Sequence, residues 1–169
     1  MTAPEFSRLF DVRQVDGRQA VLSATGAERA ALAQRFGLVR VDRLDADMLL
    51  ARDGESVCAE GSLRADIVQS CAVSAEDLPV SIDERVFFRF VPETARLHRA
   101  DEEVELDAGD LDEIPFQGTS FDLGEAVAQS LALAIDPFAT GPGAEEARAL
   151  LKDGDASPFA MLKGLKSKG

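Results

Sequence analysis

Residues 57–67 and 80–90 constrain this chain most, because in both runs nearly all the hydrophobic side chains fall on every second position. In "VCAEGSLRADI", Val57, Ala59, Leu63, Ala65 and Ile67 share one parity, and Cys58, Glu60, Arg64 and Asp66 take the other. In "VSIDERVFFRF", Val80, Ile82, Val86, Phe88 and Phe90 oppose Ser81, Asp83, Arg85 and Arg89. Successive side chains on a strand point to opposite faces, so this pattern buries one face and leaves the other wet. Two such runs joined by residues 71–78 predict a long antiparallel hairpin.

The flanking sequence supplies helices to cover the dry face. "TGAERAALAQRFGL" reads as a helix: Thr25 and Glu28 form a capping-box pattern, and Gly37 is the stop. After it, Val39 and Val41 are expected inward, then Leu44, Ala46, Met48 and Leu50. That change of parity predicts a bulge or bend near Arg43. Asp53-Gly54 is a two-residue hairpin signal. Upstream, Phe6, Phe10 and Val12 suggest a first strand with an irregular start. "FDLGEAVAQSLALAIDP" is the clearest helix, with Leu123, Val127, Leu131 and Ile135 every four residues and an end before Pro137. A short helix at "AEEARALLK" follows the turn-forming "ATGPG". The expected fold is α+β: an antiparallel β-sheet or small partly open barrel, covered by an N-terminal helix and C-terminal helices. Residues 1–150 are expected as a single globular domain with a β-rich core over 6–113 and a helix over 122–135. Residues 151–169 are expected as a linker and a short basic amphipathic tail.

Charge narrows the classes of function. The net charge of −13 is unevenly spread: about −3 over residues 1–99 and −10 over 100–169. Eight of the thirteen residues in "DEEVELDAGDLDE" (101–113) are acidic, and all four lysines lie in the last eighteen residues. Such a field repels nucleic acid over most of the surface and attracts basic partners. RNA would have to use a local patch, such as an arginine-bearing sheet face or the lysine tail. With no basic, apolar leader pattern and no long apolar run, the chain reads as soluble and cytoplasmic.

Few residues look chemical. Structural zinc needs four nitrogen or sulfur ligands with paired thiolates. Here Cys58, Cys71 and His98 are scattered, and Cys71 stands in a C-x-x-S with Ser74. Parity places Cys71 on the buried face as a small hydrophobe, and nothing near it in sequence marks a depressed thiol pKa. His98 has no nucleophile motif around it. The acidic run lacks the spacing of a calcium loop, and no glycine pattern forms a phosphate cradle. A non-enzymatic protein without cofactor or metal is expected, with a metal-dependent hydrolase as the weakest alternative.

Three motifs, in order, resemble the YceD family of large ribosomal RNA subunit accumulation proteins. First comes a strand, a cysteine knuckle and a strand ending in aromatics, from Leu63 to Phe90. An acidic stretch and a D-L-x-E helix follow, with Asp122, Leu123, Glu125, Leu131, Leu133, Ile135 and Pro137. Last is P-F-A-x-L-x-x-L, with Pro158, Phe159, Ala160, Leu162 and Leu165. The similarity covers roughly residues 55–169. Many members carry C-x-x-C at the knuckle; Ser74 replaces the second cysteine here, which implies that Cys71 is retained as packing.

The resemblance implies a non-enzymatic role in bacterial large-subunit biogenesis, supporting 23S rRNA accumulation. The family's gene often neighbours that of ribosomal protein bL32, so a basic ribosomal protein of that kind is one expected partner. Its candidate contacts are Asp101, Glu102, Glu103, Glu105, Asp107, Asp110, Asp112 and Glu113. The alternative partner is large-subunit rRNA precursor, bound directly through Arg64, Arg85 and Arg89, with Phe87 stacking and Lys163, Lys166 and Lys168 helping. Against that stands the expectation that these arginines pair with the neighbouring Asp66, Asp83 and Glu84. The motif residues Cys71, Asp122, Leu123, Glu125, Pro158 and Phe159 are expected to be structural.

Overall fold

A computed structural model describes residues 3–95 and 113–153. They fall into two compact units, one of residues 3–69 and 79–136 and one of residues 70–78 and 137–153. The first unit is built from β1 (Leu9–Asp11), a 3-10 turn (Val12–Gln14), β2 (Arg18–Ser23), α1 (Gly26–Phe36), β3 (Arg40–Asp53), β4 (Ser56–Ser70), β5 (Asp77–Pro92), β6 (Glu113–Phe116), β7 (Ser120–Asp122) and α2 (Leu123–Ala134). The facing ends of β4 and β5 run into the second unit, which carries α3 (Ala144–Asp153).

The alternating runs are β4 and β5, the centre of a five-stranded sheet in the order β2-β3-β4-β5-β6. Val57, Ala59, Leu63, Ala65 and Ile67 are all buried, as are Ile82, Val86, Phe88 and Phe90. Ser81 bonds Asp66 and Arg64 pairs with Asp83, so the residue numbers run in opposite senses and the hairpin is antiparallel. The parity switch in β3 is a bulge: Val41 faces Ile67 but Arg43 faces Asp66, leaving Asp42 as the extra residue. Val39, expected inward, precedes β3 and is 47% exposed. Asp53 pairs with Ser56, so the hairpin loop is Gly54-Glu55, one residue later than the Asp53-Gly54 reading. Gly54 at φ +62° takes the first loop position, where a positive φ lets the turn follow the strand twist.

Three features depart from the sequence-based fold. The sheet is not wholly antiparallel: β6 runs parallel to β5, Arg89 facing Glu113 through Pro92 facing Phe116. A parallel neighbour needs a long crossover, and twenty residues separate Pro92 from Glu113. The partly open barrel is not formed, since β2 and β6 remain the two edges of an open sheet. The strand content also extends past residue 113, because β1 pairs antiparallel with β7 in a small second sheet, Leu9 facing Asp122. The three residues of β1 are all that forms of the expected first strand.

One hydrophobic core joins both sheets and both helices of the first unit. α1 contributes Leu32 and Ala33; α2 contributes Leu123, Ala126, Val127, Ala128 and Leu131. Without Trp or Tyr, phenylalanines fill the large volumes: the Phe121 ring centroid lies 4.4 Å from that of Phe90 and 6.0 Å from that of Phe10. Gly61 in β4 sits opposite Met48, and a Cβ there would fall on the Asp47 carbonyl and within 2.8 Å of Met48 Cα.

The capping box of α1 is complete. Thr25 Oγ1 accepts from Glu28 N at 3.3 Å, and Thr25 N donates to Glu28 Oε2 at 2.8 Å. Arg8 forks onto the same carboxylate at 2.7 and 3.0 Å. That guanidinium, with the Thr25 amide, holds the Glu28 pKa at about 2 against the desolvation that would raise it. A depressed folded pKa stabilises above the unfolded value of about 4.5 and is lost as pH falls through about 2. Glu28→Gln should therefore destabilise by roughly 1–3 kcal/mol at neutral pH. In urea titrations that deficit should shrink steadily below pH 4.5 and vanish near pH 2; a pH-independent deficit would refute the charge account.

The second unit centres on the knuckle. Cys71 N donates to Glu76 O at 2.8 Å and Ala75 N to Cys71 O at 3.1 Å, closing a turn with Ala75 at φ +58°. Ala72 N donates to Ala139 O at 3.0 Å, and Gly143 N to Glu76 Oε1 at 3.0 Å, just before α3 begins.

Candidate functional site

The three arginines proposed for RNA contact lie on the wet face of β4 and β5, and each meets a carboxylate. Arg64 Nε is 3.6 Å from Asp83, Arg85 Nη2 is 3.0 Å from Glu60, and Arg89 is 3.8 Å from Asp53 and 3.7 Å from Glu113. Of the expected partners only Asp83 is used as an ion pair; Asp66 accepts from Ser81 instead, at 2.7 Å. Glu84, adjacent in sequence to Arg85, leaves β5 on the opposite face, and opposed side chains on neighbouring strands stand closer than residues two apart on one strand. The lattice continues into β3 and β2: Arg43 holds Asp45, Ser23 bonds Asp45 at 2.7 Å, and Gln19 bonds Asp47 at 2.8 Å. Exposed ion pairs contribute only about 0–1 kcal/mol each, so their main effect is on the field. Carboxylates match or outnumber the guanidinia across this face, and no positive patch results. Phe87, between Arg85 and Arg89, is 52% exposed.

Of the proposed acidic contacts, Glu113 opens β6 with a nearly buried side chain beside Arg89. Asp101, Glu102, Glu103, Glu105, Asp107, Asp110 and Asp112 lie outside the described residues, as do His98, Pro158, Phe159, Lys163, Lys166 and Lys168.

Cys71 is buried, as its parity required, but its chemistry differs from expectation. Its Sγ accepts from Ser74 N and Gly141 N, each at 3.4 Å. The Ser74 hydroxyl, fully enclosed, lacks a partner of good hydrogen-bond geometry, yet its approach to the sulfur is the largest influence favouring the thiolate. The Gly141, Ser74 and Val73 amides add to it, and the pKa falls to about 6. This corrects the view that nothing lowers it: one donor comes from seventy residues away, beyond any local motif. In a Cys58→Ser background, the ultraviolet thiolate absorbance of Cys71 should rise with a midpoint near pH 6. Ser74→Ala should move that midpoint upward; an unmoved midpoint would acquit the hydroxyl. No cluster of three metal-ligating side chains occurs among the described residues. None of their helices is long and apolar enough to cross a membrane.

The model of the large ribosomal RNA subunit accumulation protein YceD matches residues 59–166, well over half of the chain. The chain belongs to the YceD family. The match begins in β4 and takes in the knuckle, β5 and α2. No curated protein and no solved structure matches the chain. By its family's description, this YceD protein serves the accumulation of large-subunit ribosomal RNA.

The geometry explains the D-L-x-E motif of this YceD chain. Asp122 caps α2, accepting from Glu125 N at 3.0 Å, and also takes Ser7 Oγ at 2.6 Å and Arg8 N at 2.8 Å. Leu123 is wholly buried. Glu125 accepts from Arg35 of α1 at 2.8 and 3.0 Å, and Arg35 also reaches Glu5 at 2.9 Å. The motif is thus a clasp, in which the start of α2 holds residues 5–8 and α1. Each partner of the clasp lies upstream of the family match.

Proposed function

We propose that the chain supports large-subunit rRNA accumulation without catalysis, by holding a basic protein of the assembling particle rather than by gripping RNA. The observation that carries this reading is the neutralised wet face: Arg64, Arg85 and Arg89 each stand within 3.8 Å of a carboxylate. RNA affinity comes largely from uncompensated cations that displace condensed counterions, and these arginines already have anions beside them. The net charge of −13, concentrated in residues 101–113, instead favours and steers a cationic partner. A ribosomal protein such as bL32 fits that chemistry, and the cytoplasm is where assembly would need it. Direct RNA binding keeps one observation in its favour, the exposed Phe87 ring between two arginines.

Affinity capture of the tagged chain from its own cells, at low and moderate salt, tests the reading. The expected eluate holds a small basic ribosomal protein, survives ribonuclease, and is lost when the carboxylates of 101–113 are neutralised. Arg85→Glu with Arg89→Glu should leave it unchanged. Retention of naked large-subunit RNA by the purified chain, abolished by that double reversal, would overturn the reading in favour of RNA.

A further inference from the structure

The start of α2 is shaped as a receptor for an extended chain, and residues 5–10 already lie in it. Gly124, in the first turn of α2, is buried, and a Cβ there would stand 2.7 Å from the Phe6 carbonyl oxygen and 2.8 Å from Arg8 N. Glycine is unfavourable inside a helix, and here it leaves a bare floor for a passing backbone. Two bonds hold that backbone without regard to its side chains. Asp122 takes the Arg8 amide at 2.8 Å, and the first amide of α2, Leu123 N, donates to Arg8 O at 3.0 Å. Two pockets take side chains: Phe6 is wholly buried, and Glu28 receives the Arg8 fork.

The segment in this groove is held like a bound peptide. Among residues 3–11 only Phe6 is buried, and Leu9 is 70% exposed. Its one ladder, β1 with β7, is three residues long and lies outside the five-stranded sheet. Main-chain pairing for affinity, with pockets for a few side chains, is how extended peptides are recognised. We propose that residues 5–10 are a strap bound in cis over a peptide-recognition site, and that an extended basic segment of a partner protein, with an aromatic residue two positions before an arginine, takes the site in exchange. Charge selects the occupant. Arg35 meets Glu125, which leaves the Asp122 and Glu28 carboxylates to whatever lies in the groove. The strap brings them Arg8 together with its own Glu5 and Asp11, and a basic segment brings more positive charge. A short tether gives the strap an effective concentration on the order of millimolar, so any change that weakens the strap must strengthen binding in trans. The proposal rests on the protein-partner reading above, and gives that reading a surface.

The test uses the full chain and a fluorescent peptide in which Phe-Ser-Arg-Leu-Phe is flanked by lysines. Arg8→Ala in the chain should tighten peptide binding roughly tenfold or more over the wild type, because it loosens the competitor and leaves the receptor whole. Adding Glu28→Gln to that variant should reverse the gain, and replacing the first Phe of the peptide by Ala should abolish binding. Hydrogen exchange of the wild type gives a reading that needs no variant: the Arg8 amide should open at lower urea than those of β3 and β4. Binding that Arg8→Ala leaves equal or weaker, or an Arg8 amide that exchanges only on global unfolding, would overturn the proposal. A wild-type chain that dimerises by trading straps would assign the groove to a second copy and overturn the choice of partner. Capture from cells separates the two ideas. If Arg8→Ala retrieves the basic partner no better than the wild type does, the strap is wrong and the reading stands; if neither retrieves it, the reading fails and the partner goes with it, even where the peptide binds.

Discussion

Gly61→Ala should destabilise the chain by about 3 kcal/mol or more, at the upper end of what overpacking does. The neighbour of the missing Cβ is not a side chain that can rotate away. It is the β3 main chain, with the Asp47 carbonyl in the way and Met48 Cα only 2.8 Å off. To admit a methyl group, β3 and β4 must part in the middle of the sheet, and the pairing on either side of Met48 and Gly61 loosens with them. Chemical denaturation followed by far-ultraviolet circular dichroism measures this directly. A variant within about 0.5 kcal/mol of the wild type, the range of ordinary surface substitutions, would show that the strands separate more easily than their geometry implies.

The second large effect is at Asp122, one carboxylate with three donors. Asp122→Ala removes the α2 cap, worth about 1 kcal/mol. It also strands the Ser7 hydroxyl and the Arg8 amide, each bonded to the charged group at 2.6 and 2.8 Å. Hydrogen bonds to a charged acceptor contribute roughly 1.5–3 kcal/mol, so the total loss should be about 2–4 kcal/mol after allowing for non-additivity. Asp122→Asn keeps one oxygen acceptor and should recover part of it. Hydrogen exchange adds a local readout: residues 7–12 should lose protection in the alanine variant before β3 or β4 does. If the amino-terminal segment stays protected, core burial of Phe6 rather than the clasp holds it.

What the sequence revealed was whatever is decided within a few residues. The Thr25–Glu28 box, the Arg43 bulge, the alternation of β4 and β5 and the end of α2 before Pro137 are all local. Each is dictated by backbone donors, side-chain parity or proline sterics. The pairing of β1 with β7 and the parallel return of β6 were hidden, because a three- or four-residue strand carries almost no periodicity. The site was legible in a similar proportion. Parity placed Arg64, Arg85 and Arg89 on the wet face, but only cross-strand register could give Arg85 to Glu60 and Arg89 to Asp53. Cys71 was placed by parity, but its acidity was missed, because only the folded turn shows Ser74, the Val73 amide and the distant Gly141 amide converging on one sulfur.

The union of Leu9 with Asp122 in adjacent strands has a consequence for how the protein is born. During synthesis the sheet β2–β3–β4–β5 can assemble as it emerges, since each strand pairs with the next in sequence, β2 with β3 across α1 and the others across short turns. Residues 5–12 cannot. Although translated first, they wait for β7 and α2, and Phe6 stays without its burial site until nearly four-fifths of the chain exists. Nascent chains stalled before residue 122 should thus hold a formed sheet and an undocked amino terminus, open to proteases that spare the finished protein.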